Sequence, residues 1–260
     1  MHFDTDGVYT LLYTAEDECG NETVEERTVE VIALHTTLFT DGTLIINEKS
    51  TDRDANIALH GAVTNEYVPL DSVNGYDFHN NDTRRPWYSM RTSIKYVEVG
   101  SGITPKNMSA WFKGCTSLET FDFSLIDTSE NVSLAELFYD CSSLVAADLS
   151  DFTTPKVTSF ANMFRNCSNV TVIDISAFTQ SPTLSSVGHI ESMFASCSAL
   201  TTIYGNSDIF YNVPNKNGCF YGCTSLVGGA GTTYNANRTS GTYARIDNPP
   251  DAPGYFTAKS

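Results

Sequence analysis

Between residues 112 and 226 the apolar positions recur with a period far longer than that of a helix or a strand. Phe112-x-x-Cys115-x-x-Leu118 returns as Phe138-x-x-Cys141-x-x-Leu144, Phe164-x-x-Cys167-x-x-Val170, Phe194-x-x-Cys197-x-x-Leu200 and Phe220-x-x-Cys223-x-x-Leu226. The cysteines step by 26, 26, 30 and 26 residues, and the phenylalanines step with them. Each copy then spaces its apolar residues as Leu118, Phe121, Phe123; Leu144, Ala147, Leu149; Val170, Ile173, Ile175; Leu200, Ile203. The last two positions of each set alternate with polar residues, the period of a half-buried strand. The pattern predicts parallel, in-register strands at 118–123, 144–149, 170–175 and 200–203, with 94–99 as an atypical first, capping turn. Polar connections such as 150–157 follow the strands, and 159–164 predicts one or two helical turns. One strand and one short helix cannot bury their own apolar side, so the copies must stack. The four extra residues of the fourth copy lie between Phe178 and Val187 and should bulge outward as a loop.

The first 92 residues follow other rules. Stretches 8–14 and 23–31 alternate with period two around turn chemistry at 18–22, which predicts a β-hairpin with its acidic residues on the wet face. Asp41-Gly42 between two apolar runs predicts a second hairpin over 37–46. From there to residue 82 the chain reads as irregular and polar. Trp87 and Tyr88 stand where they would cover the open end of the first copy and hide a strand edge. The chain divides into 1–33 (hairpin), 34–92 (second hairpin and N-terminal cap), 93–230 (repeats of 26 residues) and 231–260 (C-terminal cap).

Charge narrows the classes of partner. Fifteen basic against thirty-one acidic residues leave −16, which repels phosphate backbones and anionic membranes. Nucleic acid is thereby excluded. Residues 1–30 alone hold nine acids and one base. No apolar run approaches the 18 residues of a membrane span, and residues 1–4 do not open a secretory signal peptide. Membrane insertion is not expected.

The unit M-F-x-x-C-[ST]-S-L-x-x-L-D-L-S-x-F, seen from Met163-Phe164 to Phe178, resembles BspA-like leucine-rich-repeat surface proteins. Pro86-Trp87-Tyr88-Ser89 and the closing stretch 241–257 are further marks, and the resemblance spans about residues 35–257. It implies an α/β repeat fold: a leucine-rich-repeat-like solenoid of short parallel strands and short helices. Gly7 through Val31, with G-x-Y-T-x-x-Y-T-A-x-D-x-x-G-N and an R-T-V-x-V strand, resembles the last strands of a bacterial Ig-like domain. A whole sandwich of that kind takes about 100 residues, so a larger parent chain or assembly is expected. The resemblance also implies an extracellular or cell-surface location and a non-catalytic adhesion or protein-interaction role, binding a protein or glycan on a host or neighbouring cell. The alternative is a structural or host-recognition part of a bacteriophage virion. Tyr204-Gly205 and Gly228-Gly229 depart from the repeat, which predicts looser final turns.

Candidate chemistry is sparse. Cys115, Cys141, Cys167, Cys197 and Cys223 occupy one repeat position, as Phe112, Phe138, Phe164, Phe194 and Phe220 do, so both rows are expected to be structural. Buried free thiols fit the cysteines better than zinc ligands, which converge as C-x-x-C or with histidine nearby. Cys219 and Cys223 are the one close pair that could oxidise. None of the five histidines recurs with the repeat or sits in a catalytic motif, and Gly228-Gly-Ala-Gly231 lacks the sequence of a phosphate loop. No catalytic residue, metal or cofactor is expected. The seven N-x-[ST] sequons are what composition alone supplies. Strand alternation points one column outward: Glu98, Asp122, Asp148, Asp174 and Tyr204, with Tyr96 beside it. Tyr96, Glu98, Asp122, Asp148, Asp174 and Tyr204 are the candidate binding residues. They would meet a basic patch or a cation, unless each Asp serves only as a hydrogen-bond acceptor for the serine two residues on.

Overall fold

The computed structural model describes residues 7–16, 22–31, 34–49, 53–67, 87–100, 103–179, 189–206, 209–210 and 212–259. Strands β1 (Gly7–Glu16) and β2 (Glu22–Val31) form a two-stranded antiparallel sheet of their own. Next come β3 (Leu34–Phe39), β4 (Thr43–Lys49), α1 (Arg53–His60) and β5 (Val63–Tyr67). A 3₁₀ turn over Tyr88–Ser93 then leads into β6 (Tyr96–Val99), β7 (Thr120–Asp122), β8 (Ala146–Asp148), β9 (Val172–Asp174), β10 (Thr202–Gly205) and β11 (Phe256–Ala258).

From β6 onward every strand pair is parallel and in register. Val97 faces Phe121, while Ala147, Ile173, Ile203 and Phe256 line up across four strands. The sheets run β5-β3-β4-β6-β7 and β8-β9-β10-β11. The second continues the first one copy on, where Val145 N–H donates to Glu119 O at 3.3 Å. The strands are shorter than their apolar sets because the chain swings away at the Asp–Ser steps. The stretch at 94–99 is not a terminal turn: β4 pairs with β6 on its far side, Leu44 opposite Val97 and Ile46 opposite Val99. Leu44 and Ile46 alternate inward like a repeat strand, so they extend the core. Gly42, at φ +93°, closes the β3–β4 turn, and its carbonyl accepts from Lys95 N–H at 2.9 Å. A Cβ there would lie 2.8 Å from Ser93 O. The span read as irregular after this hairpin instead holds α1 and β5. β5 is added antiparallel to β3, a pairing that local alternation does not show.

The helical turns expected over 159–164 and its equivalents are absent. A ladder of tight turns takes their place. Alternate amides reach the next copy: Phe112 N–H to Leu137 O, Phe138 to Met163 O, Phe164 to Met193 O and Phe194 to Cys219 O, at 2.8–2.9 Å. The amides between them bond three residues back, as Cys115 does to Phe112 O at 3.0 Å. A helix needs all of these amides for its own i→i−4 bonds. Two residues per turn are left-handed, among them Glu136 (φ 58°) with Asp140 (61°), Asn162 (56°) with Asn166 (65°), and Ser192 (52°) with Ser196 (64°).

Between the two ladders lies the core. The repeat phenylalanines stack: Phe112 on Phe138, Phe138 on Phe164, Phe164 on Phe194 and Phe194 on Phe220, with centroids 5.5–5.9 Å apart. Trp87 stacks on Phe112 at one end and Tyr255 meets Phe220 edge-on at the other. Trp87 is fully buried and donates its indole N–H to Trp111 O at 2.8 Å. Burial of each ring contributes about 1.5–3 kcal/mol, more than the roughly 0.5–1.5 kcal/mol of a stacked pair, so burial dominates. Beside this row the cysteines are buried free thiols. Cys141, Cys167, Cys197 and Cys223 donate S–H to the phenylalanine carbonyl one copy back, at 2.9–3.1 Å. Cys219, too, is a free thiol.

Among the described residues, the two departures from the repeat are closely packed, not loose. Gly205 is where Phe256 of β11 packs: a Cβ there would come within 2.5 Å of the ring. Gly228 sits against Gly254 O and the Asp247 carboxylate, where a Cβ would meet atoms at 2.4 and 2.6 Å. The departures from the repeat therefore make room for the C-terminal segment to close the stack. The insertion before Val187, the turn at 18–21 and Cys19 lie outside the described residues.

Candidate functional site

The outward face of the strands carries the acidic row. Glu98 pairs with Asp122 across β6–β7, Asp148 with Asp174 across β8–β9, and Tyr204 with Asp174 across β9–β10. Each Asp ends its strand by accepting an amide two residues on: Ser124 N–H at 2.9 Å, Ser150 at 3.0 Å and Ser176 at 2.9 Å. The Ser124 amide and hydroxyl hold the Asp122 carboxyl below the usual range. Because one oxygen is committed to the turn, the second is what each carboxylate presents outward.

The row is not uniform. Glu98, Asp122 and Asp148 are exposed, but Asp174 is 7% exposed, against the expectation that it points freely outward. Lys259, just past β11, donates to its Oδ2. Burial works to raise the Asp174 pKa, yet the hydrogen bonds from Lys259 and Ser176 outweigh it and leave it lowered. The C-terminal strand thus covers the far end of the row, and Tyr204, half-buried, lies between Asp174 and Thr257.

At the other end the row opens into a cleft of about 450 Å³, walled by Asp41, Thr43, Leu59, His60, Tyr96, Glu98, Thr120, Phe121 and Asp122. The β3–β4 turn supplies Asp41 and the end of α1 supplies Leu59 and His60. His60 Nδ1 stands 3.0 Å from Asp41 Oδ2 and 3.3 Å from Thr43 Oγ1. Its Nε2 is buried without a hydrogen-bond partner, 3.9 Å from Glu98 Oε1. Burial pushes the Asp41 pKa up, but the Thr43 amide and His60 bring it below the ordinary value. The Tyr96 hydroxyl donates to Glu119 at 3.3 Å, and that carboxylate raises the phenol's pKa. An Asp–His pair of this kind supplies the base and the orienting carboxylate of a catalytic triad, but among the described residues no hydroxyl or thiol bonds Nε2, so the third member, the nucleophile, is not in place there.

Of the six residues singled out from the sequence, the structure gathers Tyr96, Glu98 and Asp122 around the cleft. Asp148 lies farther along the face, Asp174 beneath Lys259, and Tyr204 beside β11. Asp41, Leu59 and His60 were missed: Asp41 was read only as a turn former, and nothing in the repeat registers His60. Among the described residues, no cluster of three His, Cys, Asp or Glu side chains is arranged to hold a metal ion.

Residues 106–230 match the family model described as "Mycoplasma protein of unknown function, DUF285". No curated protein matches the chain, and no solved structure does.

Proposed function

We propose that this chain is a non-catalytic interaction module of an extracellular surface protein, a BspA-like leucine-rich-repeat solenoid that engages its partner through the outward face of its parallel strands. One observation carries the reading: Glu98, Asp122 and Asp148 stand exposed along the outward face of two successive sheets, the second joined to the first by the Val145–Glu119 backbone bond. Like charges about 4.8 Å apart per strand repel one another. A basic patch on a protein or glycan of another cell surface would offset that repulsion on docking.

The test neutralises the row without unfolding it. In Glu98→Gln/Asp122→Asn/Asp148→Asn each Asn keeps an Oδ1 acceptor for its serine amide, so the melting temperature should stay within a few degrees. Labelled protein should then bind a panel of bacterial and host-cell surfaces at least about tenfold more weakly than wild type wherever wild type binds. Undiminished binding by the folded variant would remove the row from the interface.

A further inference from the structure

We infer that Asn217 is a site of spontaneous covalent modification, its side-chain amide being attacked by the backbone nitrogen of Gly218 and converted through a succinimide to aspartate and isoaspartate. Asn217-Gly218 is the one Asn-Gly step among the described residues. It falls on the last rung of the turn ladder, and that rung differs from the others. In the four rungs before it, the left-handed residue donates its amide to the next copy: Ala110 to Ala135 O, Glu136 to Ala161 O, Asn162 to Glu191 O and Ser192 to Asn217 O, at 2.9–3.0 Å. Gly218 takes the same conformation, at φ 61°, but its N–H makes no hydrogen bond among the described residues. The Asn217 side chain makes none there either, and Asn217 is exposed to water. The equivalent steps Ala135-Glu136, Ala161-Asn162 and Glu191-Ser192 place no side-chain amide before a glycine.

The chemistry needs only the chain and water. Gly218 N gives up its proton and bonds to Asn217 Cγ, while Asn217 Nδ2 takes up a proton and leaves as ammonia. With no Cβ on Gly218, nothing on that residue shields the attacking nitrogen. Water then opens the ring. Attack at Cγ leaves an aspartate in an ordinary backbone. Attack at the Asn217 carbonyl carbon leaves an isoaspartate, whose backbone runs through Cγ and is longer by one carbon. That extra carbon falls between two rungs, because Asn217 O and Cys219 O accept from Ser192 and Phe194 at 3.0 and 2.9 Å. Either product adds a negative charge, and the isoaspartate also loosens the turn that closes the stack. The step therefore marks the age of the chain at one defined place.

The test ages the whole folded chain in heavy-oxygen water at mildly alkaline pH and maps its peptides by mass spectrometry, with fragmentation that separates isoaspartate from aspartate. Asn217 should take up labelled oxygen as it converts, giving more isoaspartate than aspartate. Its rate in the folded chain should lie within about tenfold of that in a free peptide of residues 216–220, because no native bond has to open first. Asn169 and Asn237, exposed but followed by Val170 and Arg238, should convert at least about tenfold more slowly. Gly218→Ala should slow the step at Asn217 at least about tenfold by crowding the nitrogen. That variant should fold, since Ala110 holds φ 57° on the first rung and a Cβ at Gly218 would lie 3.6 Å from Ser192 Oγ, an ordinary contact. A folded-chain rate more than about tenfold below the peptide's, equal conversion at Asn169 and Asn237, or an undiminished rate in Gly218→Ala would overturn the site. No step involves the strand face, so each reading stands or falls without the other.

Discussion

Asp247 shows how much a single residue holds at the closing end of the chain. Its carboxylate is buried and accepts four hydrogen bonds: from the amides of Ala230 (2.9 Å), Thr232 (2.9 Å) and Gly254 (3.1 Å), and from the Thr232 hydroxyl (2.6 Å). Burial alone would raise its pKa, but the Thr232 hydroxyl and the three amides lower it. A folded pKa below the unfolded value of about 3.9 means that the stabilisation is complete above that value. It is lost as pH falls through the folded pKa. Asp41, Asp122 and Asp174 are shifted the same way. Acid also relieves the repulsion of a −16 chain. The informative quantity is therefore the stability difference between wild type and Asp247→Ala, followed by thermal unfolding from pH 7 to pH 2.5. We expect a gap of about 2–4 kcal/mol at neutral pH, since four donors lose their acceptor, narrowing below about pH 4. A gap that stays constant down to pH 2.5 would contradict the linkage. The cysteines carry a different lesson at this scale. As small buried hydrophobes they were legible in the sequence, and burial pushes the Cys223 thiol up to about 12. The S–H bond that Cys141, Cys167, Cys197 and Cys223 donate to a phenylalanine carbonyl was not legible, because it depends on which copy lies above which.

Among the elements, the turn ladder is the least conventional, and its left-handed residues set its tolerance. Ser192, at φ 52°, occupies a conformation that costs an L-residue about 1–2 kcal/mol, and more if it is β-branched. Ser192→Val should therefore lower stability by at least about 1 kcal/mol in chemical denaturation. Ser192→Gly should match or exceed wild type, because relief of strain offsets the freedom glycine has when unfolded. If Val is tolerated as well as Gly, the ladder is less constrained than its dihedral angles indicate. The same residues explain why strands were legible and turns were not. Strand positions follow from period-two alternation, which is local. In the turns, Met163-Phe164 and Cys167 sit at a spacing that also suits one face of a helix. The left-handed sites are held by Ala110, Glu136, Asn162 and Ser192, with few glycines to give them away. The cleft was half legible for a related reason. Tyr96, Glu98 and Asp122 come from the alternation of one sheet face. Asp41 and His60 arrive through the order β5-β3-β4-β6, a crossover that no local pattern encodes.

On the scale of the whole molecule, bonds between copies run from one unit to the next. Thr154 Oγ1 donates to Thr179 O at 2.9 Å, Asn131 Nδ2 to Pro105 O at 3.3 Å, and Cys197 to Phe164 O at 3.0 Å. Each spans one copy along the chain. Among the described residues the backbone bonds of both ladders join neighbouring units, and Lys259 reaching past β10 to Asp174 is a side-chain tie across two, so stability is built chiefly from nearest-neighbour terms. This has a mechanical consequence. The ladder bonds lie along the direction in which units stack, so a pull between the two ends loads them in line and not in shear. They should part like the teeth of a zipper, one unit at a time. Each release would free 26 residues, or 30 for the copy with the insertion, about 90–100 Å of extended chain. Single-molecule stretching should then show a saw-tooth with steps of that length, and a single rupture freeing every unit together would mean the copies yield as one block. A module anchored at one end and gripping a partner at the other would lengthen stepwise under load and keep its hold, as a shock absorber does.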